Sequence, residues 1–210
     1  MVATDKRPRK QPTQSRARLT FDSIVQAADE LLDDHDLEAL SVQAIADRAG
    51  VSVGSVYQYF PTKDAIVATV IERDVERVYV ALETLFVAAV QLPIGEMMNL
   101  LTRGILSTYA ARTPYYRTTL PEIGRLERDG AIRSVASRAE ELVMEAVRRH
   151  PDAVTVPVER RDAAAFILAR VTNLIAHAVV IERSDLLTDP GFADELVHLS
   201  TAYLLGSPRS

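Results

Sequence analysis

Apolar positions along this chain recur at intervals of three and four and nowhere alternate in twos over a run bounded by hairpin turns. The first clear stripe is Phe21, Ile24, Val25, Ala28, Leu31 and Leu32, one buried face of a helix that ends near residues 34–36. Two much shorter units follow at 42–49 and 53–60, each preceded by a serine, Ser41 and Ser52, whose hydroxyl can accept an orphan backbone N–H of the first turn. After Pro61, Thr62 can cap a long helix through Ile66, Val67, Val70, Ile71, Val78, Leu82, Leu85, Phe86 and Ala89, stopped by Gln91-Leu92-Pro93. Further helices are predicted over 94–112, 122–150, 158–184 and 191–205, with ends placed to within about 2–4 residues. The ten prolines stand between these segments, and the intervals are rich in Ala, Leu, Glu and Arg. The fold class is all-α.

Residues 41–60, SVQAIADRAGVSVGSVYQYF, have the spacing of a helix-turn-helix. Ala46 is small where the second helix must cross the first. Gly50 can take the left-handed backbone conformation of the turn, and Ile45, Val51 and Val56 pin the two helices together. So short a unit cannot fold alone. It needs the stripe of the first helix and the start of the helix after Pro61, which makes a three-helix domain floored by the fourth.

The second short helix then exposes Ser52, Val53, Ser55, Gln58 and Tyr59, with Gly54 offering no side chain where a backbone would approach DNA. This face is uncharged and hydrogen-bonding where an ordinary surface helix carries Glu and Lys. Its N-terminal N–H groups favour a phosphate, Gln58 can make bidentate contacts to adenine, Ser55 is an adaptable partner, and Val53 can meet a thymine methyl. Lys63 follows, placed to reach a phosphate as a point charge.

The charge balance changes the picture only when its distribution is considered. The chain of 210 residues carries a formal charge of −5, which alone argues against a nucleic-acid partner. Yet residues 1–20 hold Lys6, Arg7, Arg9, Lys10, Arg16 and Arg18 against Asp5, a local +5 that leaves −10 on the rest. The first fifteen residues are read as a basic, disordered arm that enters a minor groove or tracks phosphates. They lack the apolar core of a secretory signal, and the longest apolar stretches are broken by Pro93, Arg170 or His177, so no membrane partner and a cytoplasmic location are expected. With no Cys, disulfides, thiolate zinc sites and thiol nucleophiles are excluded.

From about residue 16 to 68 the chain resembles the TetR family of bacterial transcriptional regulators, through IVQAADELL, SVQAIADRAGVSVGSVYQYFPTKDAI and the Tyr-x-Tyr-Phe-x-x-Lys ending. The resemblance covers about a quarter of the chain and shows no departure in that motif. It implies that Ser52, Gly54, Ser55, Tyr57, Gln58, Tyr59 and Lys63 occupy positions that meet DNA, with Ser41, Val42 and Gln43 at the start of the preceding helix. It also implies a larger C-terminal helical domain that regulates and dimerises. The expected organisation is therefore an arm at 1–15, a helix-turn-helix domain at 16–66, and a ligand-binding and dimerisation domain at 67–207. The expected activity is that of a homodimeric repressor of a palindromic operator in double-stranded DNA, released by a small, largely apolar effector. The last two long helices would form the dimer and hold the recognition helices about 34–36 Å apart.

Beyond residue 93 the resemblance gives architecture without a ligand. Arg170, Asn173 and His177 form a polar line within an otherwise apolar helix, and burying them unpaired would cost several kcal/mol. Pairing across a dimer or with local carboxylates such as Glu182 is one role for them; orienting a ligand is the other. Phe86, Met97, Met98, Leu101, Ile105, Tyr109, Tyr115, Tyr116 and Phe166 are candidates for a cavity wall, or equally for core packing.

Catalysis has no visible seat. His35, His150, His177 and His198 stand far apart, there is no His-Glu-x-x-His, phosphate-cradling loop or nucleophile elbow, and no metal or cofactor is expected. Paired carboxylates such as Asp33-Asp34, Glu140-Glu141 and Asp194-Glu195 read as solvated helix faces. Two other classes remain beside the repressor. One is a non-specific DNA-binding protein. The other is an all-α enzyme or ligand carrier whose helix-turn-helix is incidental.

Overall fold

The computed structural model describes residues 15–34, 36–130, 132 and 134–206, so His35 and, apart from the Ser15 backbone, the basic arm lie outside the described residues. Among the described residues there are nine α-helices, two short 3-10 turns and no strand, which makes the protein all-α. The helices are α1 (Ser15–Asp34), α2 (Val42–Ala49), α3 (Val53–Tyr59), α4 (Lys63–Ala89), α5 (Ile94–Ala111), α6 (Thr113–Arg128), α7 (Val135–Arg149), α8 (Arg161–Glu182) and α9 (Pro190–Leu205).

The chain divides into two compact units, one of residues 1–75 with 114–132 and the other of 76–113 with 133–210. In the first, every member of the α1 stripe from Phe21 to Leu32 is buried, together with Ile45, Val56, Phe60, Ile66 and Val70. Phe21 stacks on Phe60 at 4.9 Å between ring centroids, which clamps α1 to the end of α3. Arg73 of α4 lies over the Phe21 ring at 5.5 Å and pairs with Asp22, so the clamp is roofed by a cation.

In the second unit α7 packs along α8, and α5 packs against α9, around Met97, Ala146, Ala165, Val180 and Leu204. A Cβ built on Gly104 would fall 2.3 Å from Leu85 Cδ1, the tip of a half-buried side chain of α4, so a larger residue here would make that leucine move aside.

One sequence expectation needs correcting. The single helix predicted over 122–150 is two: α6 starts at Thr113 and ends before Gly130, which takes φ of 68°, and α7 starts at Val135. Pro121, read as a boundary, lies inside α6 on its exposed side. The span Val158–Glu182 is long and apolar enough, by length and composition alone, to pass for a membrane helix, a test that the core helix of a soluble protein also passes. Its Arg170 donates to the hydroxyls of Ser134 and Ser137, and its His177 meets the Tyr109 hydroxyl.

Candidate nucleic-acid interface

The local chemistry of residues 41–60 builds the two short helices as their sequence requires. Ser41 Oγ accepts the Ala44 N–H at 3.1 Å, and Ser52 Oγ accepts the Ser55 N–H at 3.1 Å, so each helix is capped by its own serine. Gly50 sits in the left-handed region at φ 68°, ψ 31°, and the turn closes when Val51 N–H donates to the Ala46 carbonyl at 3.0 Å. Ile45, Ala46 and Val56 are completely buried beneath it.

What α3 leaves outside is uncharged. Ser52, Gly54, Tyr57 and Gln58 of the α3 face are exposed, and Val53, Ser55 and Tyr59 are half-buried. The hydroxyls of Ser52 and Ser55 lie 2.8 Å apart and share a hydrogen bond. The Tyr59 ring meets the edge of Phe21 at 6.2 Å, which fixes its direction from inside, whereas Tyr57 is 45% exposed. On α2, Ser41 and Gln43 are exposed and Val42 is half-buried; the Gln43 amide donates to Asp47 at 2.8 Å.

Gly54 stands apart from Gly50. Its backbone is not left-handed, and a Cβ there would meet only Ser52 Oγ, at an ordinary 3.8 Å. Nothing inside the protein asks for glycine at this place, although glycine weakens a helix by up to about 1 kcal/mol relative to alanine. Lys63 is half-buried at the start of α4, and its Nζ donates to the Leu37 carbonyl at 2.7 Å.

The candidate ligand residues do not converge on one wall. An apolar cavity of about 60 Å³ in the second unit is lined by Leu82 of α4, Met98, Leu101, Thr102 and Ile105 of α5, residues of α7, and Leu168, Thr172 and Asn173 of α8. Of the candidates, Met98, Leu101, Ile105 and Asn173 therefore reach it. Phe86 lines a surface groove beside Val87, Leu142 and Arg138 instead, and Met97 is core. Tyr115 belongs to the first unit, fully buried with its ring edge-on to Tyr116. Phe166 is 50% exposed under the Arg170 guanidinium at 5.1 Å. Thr102 and Thr172, which also line the cavity, were not singled out in the sequence, since a threonine within a helical stripe carries no sign of facing a void.

Tyr109 and His177 meet at 2.9 Å between the hydroxyl and Nε2, their rings edge-on at 86°. Burial lowers the His177 pKa from 6.5 to about 4, so the ring is neutral at physiological pH. Arg170 donates to Ser137 Oγ at 3.0 Å and lies 3.7 Å from Glu140. All three members of the polar line thus have surroundings within the second unit. No group of metal-binding side chains occurs among the described residues.

Residues 24–70 match the model of the bacterial regulatory proteins of the TetR family. Over 63 residues the chain is 40% identical to the HTH-type transcriptional regulator EthR of Mycobacterium tuberculosis, which is 30% of this chain and 29% of EthR. The chain thus spans less than a third of the length of this relative. The likeness in fold runs much further. A TetR-family transcriptional regulator from Streptomyces coelicolor superposes with a TM-score of 0.65 at 19% identity, over 87% of this chain and 81% of that one. SmeT, the repressor of the Stenotrophomonas maltophilia multidrug efflux pump SmeDEF, does so with 0.63 at 18% identity, over 90% and 92%. The segment 24–70 thus matches the TetR-family model, and nearly the whole chain shares its fold with solved TetR-family regulators.

Proposed function

We propose that the protein is a DNA-binding transcriptional regulator of the cytoplasm, a homodimer that represses from a palindromic operator in double-stranded DNA and lets go when a small, largely apolar molecule binds. The observation that carries this reading is the α3 face: exposed, uncharged and hydrogen-bonding, with a glycine that the fold does not need. Ser52, Val53, Gly54, Ser55, Tyr57, Gln58 and Tyr59 are the residues assigned to DNA, joined by Ser41, Val42 and Gln43 at the head of α2 and by Lys63 at the start of α4. Gln58 is the base reader, through its bidentate amide, Val53 meets a thymine methyl, and the N-terminal N–H groups of α3 hold a phosphate. EthR and SmeT are regulators by name, the latter a repressor, which supports the same role here.

Reading is assigned to residues 16–66, and dimerisation and ligand binding to 67–207, of which 67–75 and 114–132 pack with the first unit. The dimer surface is the outer side of α8 and α9. Phe166, Ile167, Leu174, Ile181, Leu199 and Tyr203 are all exposed there, an apolar surface of a kind that a monomer seldom leaves in water. The effector site is the cavity around Leu101 and Asn173. At about 60 Å³ it is far below the roughly 300–1,000 Å³ of a ligand site, so the effector selects an opened state and shifts the protein toward it.

Selection of bound sequences from random duplexes with the full chain tests this. A short palindrome, bound by a dimer with strong salt dependence, is expected. Uniform binding to all duplexes makes the protein an architectural DNA binder, and no binding at low ionic strength makes the helix-turn-helix incidental. A compound screen against the winning complex then finds the effector.

A further inference from the structure

We propose that the cavity of the second unit takes an uncharged ligand, an apolar body with one neutral hydrogen-bonding head such as an alcohol, ester or amide, and that Thr102, Thr172 and Asn173 receive the head. The proposal rests on the reading of this cavity as the effector site and names the class of molecule that fits it.

Thr69, Thr84, Thr108, Thr119 and Thr201, all inside helices, each donate to the carbonyl four residues earlier, at 2.7 to 2.9 Å. This is how a helix satisfies a hydroxyl that has no other partner. Thr102 of α5 and Thr172 of α8 do not make that bond, and among the described residues neither hydroxyl, nor the Asn173 amide, has another hydrogen-bond partner. All three residues line the same cavity. On α5 the lining residues Met98, Leu101, Thr102 and Ile105 recur at three and four, so Thr102 stands within the stripe that faces the cavity. It is 3% exposed, and bulk water does not serve its hydroxyl. On α8 the half-buried Thr172 and Asn173 follow the lining residues Leu168 and Ala169 by one turn. A hydroxyl and a carboxamide can each donate or accept, so the three suit a head of either kind.

The setting selects against charge. Among the described residues no charged side chain lines the cavity. The cations next to the lining residues are engaged elsewhere: Arg103 with Asp194 and Asn99, and Arg170 with Ser137 at 3.0 Å and Glu140 at 3.7 Å. A carboxylate or an ammonium would leave water for an apolar wall that offers no counter-charge, which costs far more than bringing in a neutral hydroxyl or carbonyl.

Four probes of similar shape test this: toluene, benzyl alcohol, benzoate and benzylammonium, each titrated into the full-length protein without DNA and followed by the methyl NMR shifts of Leu101, Ile105 and Leu168. Benzyl alcohol is expected to bind about tenfold more tightly than either ion, or better. In Thr102→Val, Thr172→Val and Asn173→Leu the affinity for benzyl alcohol relative to toluene is expected to fall about fivefold, the loss of one hydrogen bond. A change in packing alone would move both probes together. Thr102→Val is also expected to raise the unfolding midpoint of the free protein by about 2–4 °C, because a methyl replaces a hydroxyl without a partner. A fall in one variant only supports the proposal and puts the head at that residue. An unchanged ratio in all three overturns it, as does either ion binding as tightly as the alcohol, or no shift with any probe. A lowered midpoint in Thr102→Val shows its hydroxyl already engaged inside the protein and overturns it too. Failure of the wild type to bind any duplex removes the regulatory reading, and these titrations, which contain no DNA, still decide the class of ligand.

Discussion

The α2–α3 pair and the α8–α9 pair bury their inner faces equally well, yet they present opposite surfaces to solvent. Outside Val56 and Ile45 stand hydroxyls, an amide and a glycine; outside Ala165 and Leu204 stand Phe166, Leu174, Ile181 and Tyr203. A polar face gains little by meeting a second apolar face, and an apolar one gains about 25 cal/mol for each Å² it hides. The first suits a hydrated, hydrogen-bonding partner and the second a copy of itself. The same burial inside is thus compatible with two different kinds of recognition outside.

The sharpest way to break this contrast is from within. Phe60→Ala removes the ring stacked on Phe21 and is expected to cost about 3–5 kcal/mol. Urea unfolding with residue-resolved amide exchange should show the loss over residues 15–75 and 114–132; an equal loss over 134–206 would erase the distinction between the units.

On the other side, His177 makes the second unit sensitive to acid. Its folded pKa is about 4 against an ordinary 6.5, so the unfolded chain binds the proton first. The stability it contributes is complete above pH 6.5 and falls away as the pH drops toward 4, by up to about 3 kcal/mol. His177→Gln keeps an acceptor for Tyr109 and does not titrate. Its unfolding free energy, followed from pH 7 to 4, should fall less steeply than that of wild type, and parallel curves would remove His177 from the account.

The two glycines of the DNA face should respond with opposite signs. Gly50→Ala forces a side chain into the left-handed region and should cost about 1–2 kcal/mol in thermal unfolding. Gly54→Ala should stabilise the free protein by up to about 1 kcal/mol while weakening operator binding, because the new methyl stands where DNA comes close. A stabilised variant with full affinity would show that nothing approaches Gly54. The smallest effect on stability belongs to Gln58→Ala, within about 0.5 kcal/mol. Its effect is expected in the sequence preference of bound duplexes, about 1–3 kcal/mol of discrimination at one base pair.

Much of the first unit was legible because its determinants are local. Ser41 and Ser52 as caps, Gly50 as the left-handed turn and the stripe from Phe21 to Leu32 are fixed by residues within four positions of one another, the range over which a helix interacts with itself. Lys63 shows where this ended. Its position was legible, but its hydrogen bond to Leu37 joins residues 26 apart, and no spacing rule covers that. Pro121 misled for a related reason, since whether a helix continues through proline depends on what surrounds the lost donor.

Sequence alone determined the helical class, the two capped short helices with their glycine turn, and the neutral outer face of α3, because period, cap and turn chemistry act between near neighbours. Only the tertiary structure decided that α6 packs with the first unit, that Tyr109 holds His177, and that Leu101 and Asn173 border a void while Met97 does not. A helical stripe reports that a side chain points inward. Whether it meets a hydroxyl, a methyl or empty space is settled by the helices that arrive from elsewhere in the chain.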